Sequence, residues 1–382
     1  MFSSQTAEVS LNAPVRALDA VRGDKVDSRF LAGCDSNLHV VRFHSEANQL
    51  GVDATLPHPT GPVAEVCTNP SDKSVALTLA EESTFGTLWR IPRGIMERCD
   101  EMGFDDDDND DLPDATVASM EELAKLEHDT KIVDMKWRGA FDEEPSGLGD
   151  VLTLDKEGNI TQWDVALGTP ESSRKTSTSV EGSSWNLPPR MAWDPHNADA
   201  TAVSAGASIN LLDWRADTSV PAGTVQSIEC HRYGITDLDY NPNKPFVLTT
   251  AGQDGLLKFW DLRSAKQPLL VARGGHRHWV SRVSYNPFHD QLVLSAGTDS
   301  LVNLWRVSTI SSAPLLTLDE SADENQSETS GPNVRVSRYE HIDSVYALAW
   351  GAADAWIYTT VGYDGKVVLN HVPSKEKYKI LL

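Results

Sequence analysis

The sequence predicts an all-β fold, a seven-bladed WD40 β-propeller with two acidic surface-loop insertions. Three observations predict it. His231, Asp254 and Trp260 stand 23 and then 6 residues apart, and His276, Asp299 and Trp305 repeat that spacing. His341 and Asp364 repeat it again, with Asn370 in the Trp place. The first two sets are 45 residues apart and the last two 65, the excess matching an acidic insertion. A period of about 40–45 residues ending in Trp-Asp marks one four-stranded blade of a propeller.

Seven units fit one template: an alternating strand, a turn, an apolar strand, a tight turn and a third strand. Unit one is VRALDAV with RFLAGCDSNLHVVRF, and unit two is VAEVCTNPSDKSVALTLAEESTFGTLWRI. Unit three is IVDMKWRG, an insertion, then DVLTLDKEGNITQWDV, and unit four is RMAWDPHNADATAVSAGASINLLDWR. Unit five is ITDLDYNPNKPFVLTTAGQDGLLKFWDLR. Unit six is VSRVSYNPFHDQLVLSAGTDSLVNLWRV, and unit seven is VYALAWGAADAWIYTTVGYDGKVVLNHV. They predict blades at 9–57, 58–127, 128–180, 181–229, 230–274, 275–335 and 336–382, within a single domain. Seven blades close a ring and leave no sheet edge to aggregate. SMEELAKLEH, 119–128, begins like a capping box, yet its place before His128 predicts the outer strand of blade two. The terminal YKILL, 378–382, has strand character and is expected to close the ring as the outer strand of blade seven.

The net charge of −23 is uneven. Residues 95–114 carry ten acids against Arg98, and 319–329 add five acids, so −14 of the total lies there and −9 elsewhere. That balance argues against nucleic acid or an anionic membrane surface as the main partner. The insertions 93–117, with its DDDDNDD run, and 319–333 are expected to be solvated, mobile loops, since like charge and low hydrophobicity do not offset ordering entropy. Cys34, Cys67, Cys99 and Cys230 show neither a zinc spacing nor a disulfide framework, so reduced thiols of a cytosolic protein are expected. The N-terminus has no signal-peptide pattern, and no run of eighteen apolar residues exists, so direct membrane insertion is not expected.

The recurrent residues read as structure rather than catalysis. In such a blade the Asp accepts a hydrogen bond from the imidazole. The other ring nitrogen reaches a hydroxyl such as Thr250 or Ser295, which in turn meets the indole N–H. Units one to four carry Asn37, Ser83, Glu157 and Ser208 at the Asp position, and unit one has Phe43 for Trp, so the N-terminal half is expected to diverge in packing. There is no P-loop and no nucleophile elbow. Counted from Asp105, a calcium loop fails at Asp110 and Thr116. No catalytic, cofactor or metal site is expected. Tyr233, Arg277, Trp279 and Tyr363 lie near the His loops and are of types enriched at binding hot spots. LTTAGQDGLLKFWDLR, 248–263, matches a box seen in propellers that dock on the DDB adaptor of cullin-four ubiquitin ligases, with Asp254, Trp260, Asp261 and Arg263 as its marked residues. Asp261 and Arg263 pairing with neighbouring strands is the simpler reading.

The segments YNPNK, GQDGLLKFWDLR, HRHWVSRVSYNPFHDQLVLS, EHIDSVYALAW, YDGKVVLN and KYKILL, all within 230–382, are more specific than the repeat. Together they resemble the EARP and GARP complex-interacting protein family, densely there and thinly before. The resemblance implies a non-enzymatic adaptor without cofactors that binds EARP/GARP-type tethering subunits. It also implies a cytoplasmic protein, peripheral at the trans-Golgi network and endosomes, that acts as a monomer within a larger assembly. Its work would be endosome-to-Golgi retrograde transport and endosomal recycling. The alternative, from another class, is a substrate receptor of a cullin-four/DDB-type ligase through 248–263. An enzyme with a site in the central channel is a distant third.

Overall fold

The computed structural model describes residues 6–22, 24, 28–97, 116–138, 148–165, 170–180, 187–215, 224–314 and 332–381. Seven sheets follow one another around a ring. Their innermost strands are Ala17–Ala20, Val63–Thr68, Ile132–Trp137, Met191–Trp193, Ile235–Tyr240, Val280–Tyr285 and Val345–Trp350. From each of these the next two strands step outward as antiparallel neighbours. The chain is therefore a seven-bladed β-propeller.

The core is not one mass but seven apolar wedges, each shared by two neighbouring blades. Between blades five and six, for example, Ala251, Leu257 and Phe259 pack against Val280, Val283, Tyr285 and Trp305. A single blade cannot bury both of its faces, so each is completed by the next.

Ring closure departs from the expectation. Thr6–Ser10 supplies the outer strand of blade seven, pairing antiparallel with the third strand from Thr6↔Asn370 to Ser10↔Lys366. Glu8 Oε1 accepts from Lys366 Nζ at 2.9 Å, and Leu11 N donates to Gly365 O at 2.9 Å. YKILL instead lies, up to Leu381, in the helix Ser374–Leu381. Good helix formers follow Pro373, which cannot donate to a ladder. Buried Glu376 pairs with Arg306, and Ile380 packs on the wedge between blades six and seven. Residues 6–10 thus belong to blade seven, and blade one starts at Ala17 rather than residue 9.

Glu121–Glu127 is the outer strand of blade two, with Leu126 fully buried against Phe85–Arg90. Of the first acidic insertion, Arg93–Met96 is a helical turn whose Ile95 and Met96 enter the wedge between blades one and two. Thr116–Val117 adds a fifth, parallel strand to blade one opposite Ala54 and Thr55. The ends of 93–117 are thus built into the ring, whereas 98–115 lies outside the described residues. Of 319–333, residues 319–331 also lie outside them, and Asn333 opens the outer strand of blade six. Blade one, lacking Trp, holds a buried charge cluster instead. Arg29 pairs with Asp24, and Asp53 Oδ2 stands 3.6 Å from Arg29 Nε and 3.1 Å from Arg42 Nε.

Deleting residues 1–10 should expose the Lys366–His371 edge, seen as faster deuterium exchange at those amides and a lower Tm. Truncation after Val372 should destabilise by removing Glu376 from buried Arg306, about 3–5 kcal/mol, without that local loss of protection. The reverse pattern of exchange would show that the C-terminus closes the ring.

Candidate functional site

Blade five shows the internal relay in full. His231 Nδ1 lies 2.9 Å from Asp254 Oδ1, a carboxylate that can only accept, so Nδ1 carries the proton. Nε2 then accepts from Thr250 Oγ1 at 2.9 Å, and Thr250 Oγ1 accepts from Trp260 Nε1 at 3.0 Å. Blade six repeats it: His276 Nδ1 to Asp299 at 3.0 Å, Nε2 to Ser295 Oγ at 2.8 Å, and Trp305 Nε1 to Ser295 Oγ at 2.9 Å. In blade seven His341 Nε2 lies 2.9 Å from Thr360 Oγ1, but Nδ1 stands 3.6 Å from Asp364, beyond hydrogen-bond reach. Asn370, in the Trp place, accepts from Thr6 Oγ1 at 3.2 Å and so joins the closing strand.

Two relays escape the spacing rule. In blade two, His58 Nδ1 faces the Gly61 carbonyl at 2.9 Å, which stands in for the Asp. Nε2 lies 2.7 Å from Thr78 Oγ1, to which Trp89 Nε1 donates at 2.8 Å. In blade three, Thr153 Oγ1 bonds both His128 Nε2 and Trp163 Nε1. Asp155 Oδ2, eight residues before Trp163 rather than six, lies 3.7 Å from His128 Nδ1 and accepts from Thr130 at 2.6 Å. In blade four Trp214 Nε1 donates to Thr201 Oγ1 at 2.9 Å, and the sequence 181–186, EGSSWN, supplies no His. A hydroxyl ten residues before the Trp, at Thr153, Thr250 and Ser295, was the better signal.

The central channel holds groups that spacing alone does not reveal. Glu65 of blade two receives Arg190 Nη1 at 2.8 Å from beside blade four and Arg282 Nη2 at 3.2 Å from blade six. Burial alone would raise the Glu65 carboxyl, but Arg282, Arg190 and Lys136 together hold it well below the usual carboxylate range. Asp134 Oδ2 accepts from Met191 N, Asp237 Oδ2 from Val283 N, and Asp239 Oδ2 from Tyr285 N, each tying one blade to the next. Desolvation, only partly offset by that Tyr285 N–H, pushes the Asp239 carboxyl up to about 7. A cavity of about 500 Å³ remains beside these groups. No group of three or more His, Cys, Asp or Glu is placed to hold a metal ion among the described residues. Cys34 and Cys230 are pushed up to about 12 by burial and are not poised as nucleophiles.

Strand registers sort the remaining residues onto two faces. In blade five Ile235↔Gly252 marks one end and Val247↔Asp261 the other. Tyr233 therefore shares the end with His231, and Asp261 and Arg263 lie at the opposite end. On the His side Tyr233 is 39% and Tyr363 46% exposed, Arg277 is exposed, and Trp279 is half-buried and stacked on His278. Of the 248–263 box, Asp254 and Trp260 are absorbed by the relay. Arg263 folds back on Asp261, with Nε at 2.9 Å and Nη2 at 2.7 Å, and lies over Phe246. The two residues thus pair with each other rather than with neighbouring strands. Asp213 and Arg215 form the same clasp in blade four.

The chain matches the model of the EIPR1 beta-propeller family over residues 5–305. The chain belongs to this family. It is 30% identical over 394 residues to EARP and GARP complex-interacting protein 1 of Rattus norvegicus, covering 97% of each chain. It is 32% identical over 398 residues to an EARP-interacting protein homolog of Danio rerio, again covering 97% of each. It is also 28% identical over 380 residues, 95% of each, to WD repeat-containing protein DWA2 of Arabidopsis thaliana. Likeness to the EIPR1 family thus covers the N-terminal blades as well as 230–382. No helix among the described residues is long and apolar enough to cross a membrane.

Thr250→Val keeps volume but strips the Trp260 N–H and His231 Nε2 of their partner. It should cost about 1–3 kcal/mol, read as a lower denaturant midpoint at unchanged slope. Burial lowers the pKa of His58, His128 and His341, against opposing carboxylates for the last two. The folded state then binds fewer protons than the unfolded chain. Their contribution is present above the unfolded value of about 6.5 and is lost as pH falls towards the lowered folded values. His58→Gln should flatten the fall in stability between about pH 7 and 5; a steeper fall would contradict this.

Proposed function

We propose that this chain is a non-enzymatic adaptor that binds EARP- and GARP-type tethering complexes. It supports their recruitment in endosome-to-Golgi retrograde transport and endosomal recycling. One observation carries the reading: likeness to a protein named for interacting with these complexes runs over 97% of both chains. Likeness of that extent supports the reading, and the geometry adds a physical reason. The buried side chains of His58, His128, His231 and His276, and of Asp134 and Asp237, are held in relays and blade-to-blade bonds, and the adaptor reading places function on the surface. In this reading the protein is cytoplasmic, peripheral at the trans-Golgi network and endosomes, and a monomer within the assembly. Tyr233, Arg277, Trp279 and Tyr363, exposed except for half-buried Trp279, form its docking rim, aromatics and arginine being the residues that dominate protein interfaces.

The test is affinity capture of tethering subunits by tagged chain. Trp279→Ala with Tyr363→Ala should lower recovery about tenfold or more while leaving the Tm unchanged. Arg263→Ala, on the other face, should leave recovery intact. Capture of a cullin-type adaptor without tethering subunits, abolished by Arg263→Ala, would replace this reading with the ligase one.

A further inference from the structure

The exposed aromatics on the His face are not scattered. Thr298 N donates to Trp279 O at 3.0 Å, Ser344 Oγ donates to Thr298 O at 3.1 Å, and Tyr363 N donates to Ser344 O at 3.0 Å. These bonds tie the blade-six and blade-seven loops into one band. Tyr346 extends it, its ring 6.1 Å from that of Tyr363, and Ile342, in the loop that leads into the strand of Tyr346, is 80% exposed. Blade five joins through Gly255, in the left-handed region at φ +73°, where a Cβ would sit 3.2 and 3.3 Å from the His278 and His276 carbonyl oxygens. The close approach carries the band on to the loop of Arg232 and Tyr233.

Charge along the band is uneven. The acids nearest blades five and six, Asp254 and Asp299, face inward to His231 and His276. Arg232 and Arg277 are exposed there and carry no ion pair among the described residues. Glu340, the last residue of the blade-six outer strand, and Asp343 are exposed towards the more apolar blade-seven end, and Glu229, exposed at the end of the blade-four outer strand, flanks the blade-five end. In a chain of net charge −23, two exposed arginines on one rim, without an ion pair among the described residues and one of them lying over the Tyr233 ring at 5.4 Å, form a local exception.

We infer that this band docks an acidic segment of a partner protein in one orientation. The segment's carboxylates lie over Arg232 and Arg277, and its apolar anchor lies over blade seven among Ile342, Tyr346 and Tyr363. The inference rests on the adaptor reading and specifies the partner's chemistry. Cations at one end and apolar side chains at the other select both composition and direction.

The test pans a phage-displayed library of random short peptides on the purified full chain. Selected peptides should be enriched in Asp and Glu at one end and in aromatic or aliphatic residues at the other. Their binding should fall about tenfold or more with Arg232→Glu/Arg277→Glu, weaken with salt, and fall again with Tyr363→Ala. The substituted side chains are exposed, so an unchanged Tm checks that the variants fold. Lysine-rich peptides, indifference to the charge reversal, or no selected peptide would each overturn the inference. Capture of tethering subunits is run beside it. Capture that survives the charge reversal sinks the inference alone, whereas acidic peptides selected without tether capture sink the adaptor reading alone.

Discussion

The ring depends on a pairing between its two ends. Thr6–Ser10 must find Lys366–Asn370, partners separated by nearly the whole chain. Without that strand the outer edge of blade seven is open, and the wedge of Ala7 and Val9 against blades seven and one is incomplete. Loop-closure entropy rises only slowly with length, so a few good ladder bonds suffice even at this separation. At the seam the blade pattern is also incomplete. Asn370 replaces Trp, and the hydrogen bond it accepts comes from Thr6 of the closing strand itself.

Once closed, the ring satisfies its polar groups locally. Trp N–H, hydroxyl, imidazole and carboxylate form a directed chain in blades five and six, and shortened or substituted forms serve blades two and three. The tolerance has a simple cause: each step needs only an acceptor at the right distance. The Gly61 carbonyl does for His58 what Asp254 does for His231. The channel follows the same rule between blades. Glu65 meets cations from two directions, while Asp134, Asp237 and Asp239 each take a backbone N–H from the next blade. Buried charge is retained where it is paired and hydrogen-bonded. The side chains left facing solvent on the His side are those free to recognise a partner.

Much of this was legible in the chain. The blade count came from phase, and the strand at 121–127 came from its place before His128 despite helical propensity. The expectation that YKILL closes the ring failed, because short stretches of strand character at either end of the chain look alike and Thr6–Ser10 takes that place. The decision lay in Arg306, whose buried guanidinium recruits Glu376 and holds the C-terminus as a helix. The relay of blade three was hidden by a shift of two residues, and that of blade two by a carbonyl that no side-chain motif records.

By itself the sequence determined the repeat, the fold class and, through the residues between the repeats, the family. These are properties of spacing and identity along the chain, and they survive without coordinates. The tertiary structure alone decided which strand closes the ring, how Glu65 and its arginines meet in the channel, and that Arg263 is clasped by Asp261. It also decided that Tyr233, Trp279, Ile342, Tyr346 and Tyr363 share one face. Those facts depend on distances between residues far apart in sequence, and such distances exist only once the blades stand side by side.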